Sequence, residues 1–245
     1  FAEHDRTLYP DWKHTVRVVL DLQEGITYQN NVAVTAVDEG ILLTTFLKDR
    51  EELNYTPTVP TDPQKSTVVL DAGHGGTRDG AKYEGIAEKA LNLAVAQKVE
   101  AILRRYGYNV EMTRTADTDV GLYRRADIAN AVNADLFVSI HANAMPGQNT
   151  QTNGIVTFYH SGSKRGQQLA DAIQHPLIKL TEACDLGIRS ADFVVLRETR
   201  MCAVLVEMGF MTNHAELIKM STDTYQNQVA KGIAEGIVTY LNSVK

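Results

Sequence analysis

The sequence predicts an α/β fold with a mostly parallel central sheet flanked by helices, preceded by a small antiparallel β module. From residue 66 onward, short apolar segments alternate with segments whose apolar residues recur at helical spacing, a pattern typical of βαβ units. Before residue 50, strand-like segments instead follow one another directly. Three prolines within Thr56–Pro63 predict a stiff linker between the two parts. We therefore expect a β module over 1–55, a linker over 56–65 and the main domain over 66–245.

Composition narrows the range of functions. The chain has 245 residues and a net charge of −6, so it carries no basic field for nucleic acid. No apolar run approaches the roughly 20 residues of a membrane span. The two cysteines, Cys184 and Cys202, form no Cys-x-x-Cys pair, which argues against a cysteine metal site and favours two free thiols.

The N-terminal module has alternating, strand-like segments over 14–22, 31–37 and 41–47. Asp38-Glu39-Gly40 separates the last two and predicts a hairpin turn. A module of this size buries too little apolar surface to be stable alone, so it is a fragment or packs on the main domain.

In the main domain the pattern predicts helices near 87–106 and 122–132, a helix from Lys164 that bends or restarts at Pro176, and a C-terminal helix through Leu241. The predicted strands are the short apolar or β-branched runs between these helices. They lie at 68–70, 108–113, 136–140, 155–159, 193–196 and 203–206.

Three titratable residues directly follow predicted strands. His74 follows the first strand in a glycine-rich turn, His141 follows the third, and Glu207 follows the last. Because the carboxyl ends of parallel strands meet at one edge of a sheet, we expect these side chains to converge there. The glycines around His74 allow a sharp turn and leave room for a ligand. Glu88 is a fourth candidate, because it begins the next helix beside that turn.

Each of these residues also has a plain structural interpretation. A lone histidine is more often structural than a ligand, and a lone Glu88 would more often be an N-terminal helix charge favoured by the dipole. Together, however, two histidines and a carboxylate form a known catalytic zinc set that leaves one position open for water. A further carboxylate is then needed to take a proton and pass it to a leaving amine. From the residues alone, we predict a zinc-dependent hydrolase of an amide-like bond.

Six ordered segments also resemble a known family, the N-acetylmuramoyl-L-alanine amidases of the Amidase_3 type. The resemblance covers about residues 67–243, and its motifs are Val69–Gly76, Gly85–Leu93, Met112–Arg114, Leu122–Asn130, Ser139–Asn143 and Val206–Asn213.

The resemblance implies one zinc ion held by His74, Glu88 and His141, with Glu207 as the catalytic carboxylate that acts on a zinc-bound water. It implies hydrolysis of the amide between N-acetylmuramic acid and the L-alanine of the stem peptide in bacterial peptidoglycan. It also implies an extracytoplasmic location, in the cell wall or secreted, although no signal is visible in this chain. The partner is then peptidoglycan, both glycan strand and stem peptide, and not nucleic acid.

The sequence departs from the family pattern at two positions: Leu186 stands where relatives often carry arginine, and Cys202 stands where proline is usual. Arg189 is a substitute candidate for substrate binding, although a solvated loop arginine is the alternative. Asn143 is a second candidate for binding substrate amides, or it shapes a turn. We interpret Arg124-Arg125 as a solvated helix face, with Arg114 and Arg124 able to steer an anionic peptide.

Access and attachment give two further expectations. Only residues 142–153 lie between His141 and Gly154, too few and too turn-rich for a blocking helix, so we expect an open site. The N-terminal module faintly resembles part of the AMIN-type domains that attach such enzymes to the envelope, with an unclassified β appendage as the alternative. The alternative functions are a zinc exopeptidase-like peptidase, a catalytically silent peptidoglycan-binding protein, and nucleotide binding at the glycine loop, which lacks a nucleotide-binding pattern.

Overall fold

A computed structural model describes residues 65–145 and 150–244 of the chain, together with the backbone of four short strands before them. The chain divides into two compact units, Phe1–Leu53 and Asn54–Lys245.

The first unit contains two antiparallel strand pairs. Strand β1 (Ala2–Glu3) pairs with β2 (Arg17–Val18), and β3 (Val32–Val37) pairs with β4 (Gly40–Thr45). The antiparallel character predicted for this part of the chain is therefore confirmed. The rest of the segment predicted as a strand over 14–22, and the linker over 56–64, lie outside the described residues.

The second unit is built on a six-stranded sheet, whose strands are β5 (Thr67–Ala72), β8 (Asn109–Met112), β9 (Leu136–Asn143), β10 (Ile155–Tyr159), β11 (Asp185–Ser190) and β12 (Cys202–Phe210). Their order in the sheet is β11-β10-β12-β9-β5-β8. The strands β12, β9, β5 and β8 run parallel, whereas β10 is antiparallel to β12. The predicted α/β fold with a mostly parallel sheet is confirmed.

Helices cover both faces of the sheet. Alternate residues of a strand point to opposite faces, so a buried strand contributes to an apolar cluster on each face. Val68 and Leu70 of β5 belong to the larger apolar cluster, and Val69 between them belongs to the smaller one. The larger cluster contains residues of three long helices, α1 (Glu88–Arg105), α3 (Lys164–Thr181) and α6 (Asp223–Ser243). The smaller cluster contains residues of α2 (Leu122–Ala131) and α4 (Val194–Arg197). A short hairpin, β6 (Lys82–Tyr83) with β7 (Ile86–Ala87), precedes α1, and α5 (His214–Met220) follows β12.

Two predictions about local structure are wrong. The run Phe193–Leu196, predicted as a strand, contains the start of helix α4, because a four-residue apolar run does not distinguish a strand from a buried helical turn. The segment treated as a loop around Arg189 is the edge strand β11, which has little apolar alternation because much of it is exposed.

Helix α3 continues through Pro176, so the restart that the sequence allows there does not occur. Pro176 has no N–H to donate to the carbonyl of Ala172. Gly236 of α6 lies close to that carbonyl, where an added Cβ would come within 2.6 Å of the oxygen. Helices α6 and α3 therefore pack closely in the turn that precedes the proline.

Within the part of the chain that the structure describes, no helix combines the length and apolar character that crossing a membrane requires.

Candidate metal centre

The register of the sheet places two of the predicted site residues side by side. Glu207 of β12 pairs with His141 of β9, two residues beyond the pairing of Leu205 with Ser139. Side chains two residues apart on a strand share a face, so Glu207 and His141 lie on the same face as Leu205 and Ser139. Asp71 of β5 pairs with Ser139 and extends this row. The strand ends thus converge as the sequence predicted.

His74 and Glu88 reach the same edge from different elements. His74 follows β5 in a left-handed conformation with φ 60°, which is uncommon for a residue other than glycine. Glu88 is the first residue of α1 and is buried. His74, Glu88 and His141 each offer one ligand atom, and these atoms lie within 4.8 Å of one another.

Glu88 joins the two histidines. Its Oε2 lies 3.1 Å from Nε2 of His74, and its Oε1 lies 2.9 Å from Nδ1 of His141. Burial acts to raise the pKa of Glu88, but the hydrogen bonds and charges of His141 and His74 outweigh it and hold the pKa well below its ordinary value. Burial acts to lower the pKa of His141, and the hydrogen bond to Glu88 with the charge of Glu207 raises it. The carboxylate is therefore ionised and aimed at both rings.

Three N–H donors hold the Glu88 carboxylate in place in addition to the two histidines. The backbone N–H of Ala81 donates to Oε2 at 2.9 Å, and the N–H of Ala142 donates to Oε1 at 3.3 Å. The side-chain Nδ2 of Asn92, one helical turn along α1, donates to Oε1 at 3.1 Å. Such supporting hydrogen bonds orient a metal-binding carboxylate and limit its rotation.

Two glycines make room for the ligand side chains. A Cβ on Gly73 would lie 2.2 Å from Cε1 of His141. A Cβ on Gly80, whose φ is +69°, would lie 2.5 Å from Oε2 of Glu88. The glycine beside His74 therefore clears space for the protein's own ligand side chains rather than for an external ligand.

Two buried arginines hold the backbone of the His74 turn. Arg125 donates from Nη1 to the carbonyl of Ala72 at 2.8 Å and from Nη2 to the carbonyl of His74 at 2.8 Å. Arg114 donates to the carbonyl of Ala72 at 2.8 Å and to that of Gly73 at 3.0 Å. The predicted solvated face is therefore wrong for Arg125, and Arg114 is occupied with backbone groups rather than exposed to a peptide.

Arg125 also pairs with the buried Asp71. Its Nη1 lies 2.6 Å from Oδ1 of Asp71, and both side chains are almost fully buried. The hydroxyls of Ser139 and Thr113 each donate to the Asp71 carboxylate at 2.6 Å. Burial acts to raise the pKa of Asp71, but Arg125 and the two hydroxyls together lower it below its ordinary value.

Glu207 is the carboxylate without such support. Its Oε2 is buried and accepts no hydrogen bond from any described residue. Burial raises the pKa of Glu207 to about 7, against a smaller opposing effect of His141. A buried carboxylate oxygen without a partner is costly, and here it lies beside the candidate ligands. Such a group is suited to take and release a proton near neutral pH.

A cavity of about 320 Å³ opens beside these residues and is lined in part by His74, His141 and Glu207. Val120, just before α2, and Leu122, its first residue, also line the cavity. Phe193, just before α4, lines it as well. The side chain of His74 is 32% exposed, so the candidate ligands are reachable from this cavity.

The two candidate substrate-binding residues lie apart from this cavity. Asn143 ends β9, and its Oδ1 accepts a hydrogen bond from the N–H of Ala144 at 2.8 Å, as a turn-shaping residue does. Arg189 is exposed on the edge strand β11. Neither residue lines the cavity, and their roles in binding stay predictions.

Sequence reasoning missed the structural role of Arg114 and Arg125. A usable signal was present for Arg125, because Ile128 and Ala129 follow at three and four residues and share its buried helix face. Arg114 lies just after a buried strand, where its sequence neighbours give no comparable signal.

The three candidate ligands suit zinc. Two imidazole nitrogens and one ionised carboxylate form a known catalytic zinc set, and Gly73 and Gly80 leave the ligand side chains the space they need. Glu207 adds a second carboxylate beside these ligands, and its Oε2 accepts no hydrogen bond from a described residue.

The family model for N-acetylmuramoyl-L-alanine amidases, Amidase_3, matches residues 68–239. The chain belongs to this family. The match includes all four residues of the site, and the family resemblance noted in the sequence is confirmed.

Relatives agree with this family assignment. An endolysin of Bacillus phage SPP1 is 45% identical over 186 residues, which cover 73% of this chain and 67% of the endolysin. The crystal structure of an N-acetylmuramoyl-L-alanine amidase from Clostridium difficile 630 is 38% identical, with a TM-score of 0.72 and coverage of 74% of this chain and 99% of that one. The catalytic domain of CwlV, the amidase of Bacillus (Paenibacillus) polymyxa var. colistinus, is 39% identical, with a TM-score of 0.69 and coverage of 72% and 98%. Proteins of this amidase family are hydrolases.

Proposed function

We propose that the chain is a zinc-dependent peptidoglycan amidase. It hydrolyses the amide bond that joins the lactyl group of N-acetylmuramic acid to the L-alanine of the stem peptide. His74, Glu88 and His141 hold the zinc ion, and Glu207 is the catalytic carboxylate. The family match, and relatives named as amidases or endolysins, support the substrate.

The observation that carries this proposal is the pairing of two unlike carboxylates at one edge of the sheet. Glu88 is ionised, hydrogen-bonded from several sides and joined to both histidines, as a metal ligand should be. Glu207, next to His141 in the sheet register, keeps an unpartnered oxygen and a raised pKa. When the surroundings give two carboxyl groups very different pKa values, the two groups can take different roles. The ionised Glu88 is suited to bind the metal, and Glu207 is suited to carry the proton.

Zinc at His74, Glu88 and His141 would supply Lewis-acid chemistry, which polarises a carbonyl and makes water a stronger nucleophile. The chain's residues do the rest. Glu88, fixed by Asn92 and by two backbone N–H groups, keeps the cluster aligned while substrate enters. The buried arginines hold the His74 turn in its left-handed conformation, so the ring keeps its direction.

Glu207 handles the proton. In its ionised form the carboxylate takes a proton from the attacking water and holds it on the otherwise unpartnered oxygen. It then delivers this proton to the leaving nitrogen of the L-alanine, which departs as an amine. A pKa near 7 suits both steps, because neither the uptake nor the release of the proton is strongly uphill.

The cellular setting follows from the substrate. An enzyme of this specificity acts outside the cytoplasm, in the cell wall or as a secreted protein, and its partner is the glycan strand with its stem peptide. We include in the proposal that residues 1–55 form a separate module that contributes to attachment at the envelope, joined by the proline-rich linker to the catalytic domain over 66–245.

The decisive experiment compares the wild-type protein with Glu207→Gln on purified peptidoglycan. The wild type should release stem peptides with a free L-alanine amino terminus, detected by mass spectrometry. The variant should retain one zinc per chain by metal analysis and lose about 100- to 10,000-fold of the activity, the range for removing a general acid–base group.

Glu235→Gln is the matched control, because Glu235 of α6 has a side chain that is 41% exposed and pairs only loosely with Lys231, at 3.7 Å. It should leave activity and zinc content unchanged. Loss of zinc in Glu207→Gln would make Glu207 a ligand, and unchanged activity would refute the mechanism. Release of free amino acids from plain peptides would instead favour the exopeptidase alternative.

A further inference from the structure

The cavity beside the site has apolar walls that the proton chemistry does not use. Leu122 and Phe193 line it, and their exposed fractions are 51% and 38%. They belong to a small group of large apolar residues that remain exposed in the described part of the chain. An apolar side chain left exposed beside a reacting carboxylate indicates a surface that substrate covers.

The orientation of Phe193 is fixed by a contact with the sheet. Its ring packs edge-on against Phe158 of β10, with centroids 5.3 Å apart and an interplanar angle of 84°. Phe158 in turn packs against the smaller apolar cluster of the sheet. The ring of Phe193 is therefore held in place before substrate arrives, which limits the entropy lost on binding.

Leu122 is positioned by a different element. It is the first residue of α2, whose buried face lies on the same side of the sheet as Phe137 and Leu205. Because Leu122 and Phe193 are reached through separate segments of the chain, they offer two apolar contacts within one cavity of about 320 Å³.

The substrate of the proposed function carries a matching pair of apolar groups. The scissile amide has a lactyl methyl on its acyl side and the L-alanine methyl on its amine side. We infer that Leu122 and Phe193 are specificity-determining residues that bind these two methyl groups and so place the amide carbonyl against the metal centre. This inference rests on the proposed function and assigns a role to residues outside the ligand set and Glu207.

The expected size of the effect follows from the exposed area. Substrate that covers the exposed third of the Phe193 ring buries roughly 75 Å² of apolar surface, which corresponds to about 20-fold in kcat/KM. Removal of either side chain should cost about this factor. One methyl group in an apolar site is expected to discriminate L-alanine from glycine by about 10-fold.

The test measures kcat/KM of wild type, Leu122→Ala and Phe193→Ala on two synthetic muramoyl peptides that carry L-alanine or glycine after the lactyl group. Both variants should lose about 20-fold on the alanine substrate, and at least one should reduce the alanine-to-glycine ratio to about 2-fold. Phe193→Leu, which keeps an apolar contact, should recover most of the loss. Melting temperatures of all variants show whether a loss comes from unfolding.

Tyr106→Ala is the matched control. Tyr106 is 61% exposed, and it lies at the C-terminal end of α1, about 27 Å along the helix from Glu88. This variant should keep both rate and ratio. An active wild type whose Leu122 and Phe193 variants keep rate and ratio would overturn this inference alone. A wild-type protein that cleaves neither substrate would overturn the proposed function and this inference with it.

Discussion

Replacement of Arg125 by methionine should destabilise the catalytic unit strongly. The substitution removes the partner of the buried Asp71 and the donors to the carbonyls of Ala72 and His74. Loss of one member of a buried ion pair typically costs about 3–5 kcal/mol, because the remaining charge stays buried without compensation. The two remaining hydroxyl donors, Ser139 and Thr113, place the expected loss near the middle of this range, at about 4 kcal/mol.

This free energy converts into a melting temperature. At about 2.1 cal/mol/K per residue, the unit Asn54–Lys245 has an unfolding entropy of about 0.4 kcal/mol/K, so the midpoint should fall by about 10 °C. Thermal unfolding followed by circular dichroism measures the shift. Arg124→Met is the matched control, since Arg124 is the exposed neighbour on the same helix, and it should change stability by less than about 0.5 kcal/mol.

A double variant separates the charge effect from the lost hydrogen bonds. Asp71→Asn combined with Arg125→Met removes both members of the buried ion pair, so it should be more stable than Arg125→Met alone by about 1–2 kcal/mol. A change of about 2 °C in the unfolding midpoint corresponds to a loss of less than about 1 kcal/mol. A midpoint for Arg125→Met within about 2 °C of the wild-type midpoint would therefore refute the reasoning. A double variant less stable than the single one would show that hydrogen bonds, not the unpaired charge, dominate.

Three further predictions concern the metal, the proton and access to the site. Gly80→Ala should weaken zinc binding by about 10- to 100-fold in chelator competition, because the added Cβ would press on Glu88. Gly162→Ala is the control: Gly162 has a similar φ of +84° but no described atom within 4 Å of an added Cβ, so this variant should bind zinc as the wild type does. Since the ionised form of Glu207 takes the proton and its pKa is about 7, kcat/KM should fall tenfold per unit as the pH drops below that value, and a flat profile from about pH 5 to 8 would contradict this. Finally, the isolated protein should digest purified cell wall without a partner, and activity that appears only after an activator is added would show that the site is not open.

The pH dependence of stability gives one more check, with the sign set by Asp71. Its pKa in the folded protein lies below the ordinary 3.8, so its contribution to stability is present above about pH 4. That contribution is lost as the pH falls through the lower, folded-state pKa. Urea unfolding at a series of acidic pH values should therefore show stability falling with pH in wild type, and falling less in Asp71→Asn.

The sequence predicts the meeting of these candidate residues better than it predicts some of the elements around them. His74, His141 and Glu207 could be brought together because each follows an apolar strand, and parallel strands share an edge. Phe193–Leu196 was mistaken for a strand because a short apolar run has no usable period, and its helical form depends on packing against α2 and the sheet.

The buried arginine support was harder to foresee. Arg125 stands beside Arg124 in the sequence, and polarity alone made both look solvated. Arg125 can be buried because it donates to Asp71 and to the backbone carbonyls of Val120, Ala72 and His74. Those acceptors are brought together only by the fold, and the local signal is limited to the helix face that Arg125 shares with Ile128 and Ala129.

The antiparallel direction of β10 has a consequence for how access to the site can change. Because β10 starts at the same edge of the sheet where β9 ends, the connection between them begins and ends at the edge that carries the candidate ligands. Extra residues inserted in this connection would be added at that edge and would leave both strands unchanged. Each doubling of such a loop costs only about 0.6 kcal/mol in closure entropy, so a lid can be gained or lost by insertion with little effect on the stability of the domain.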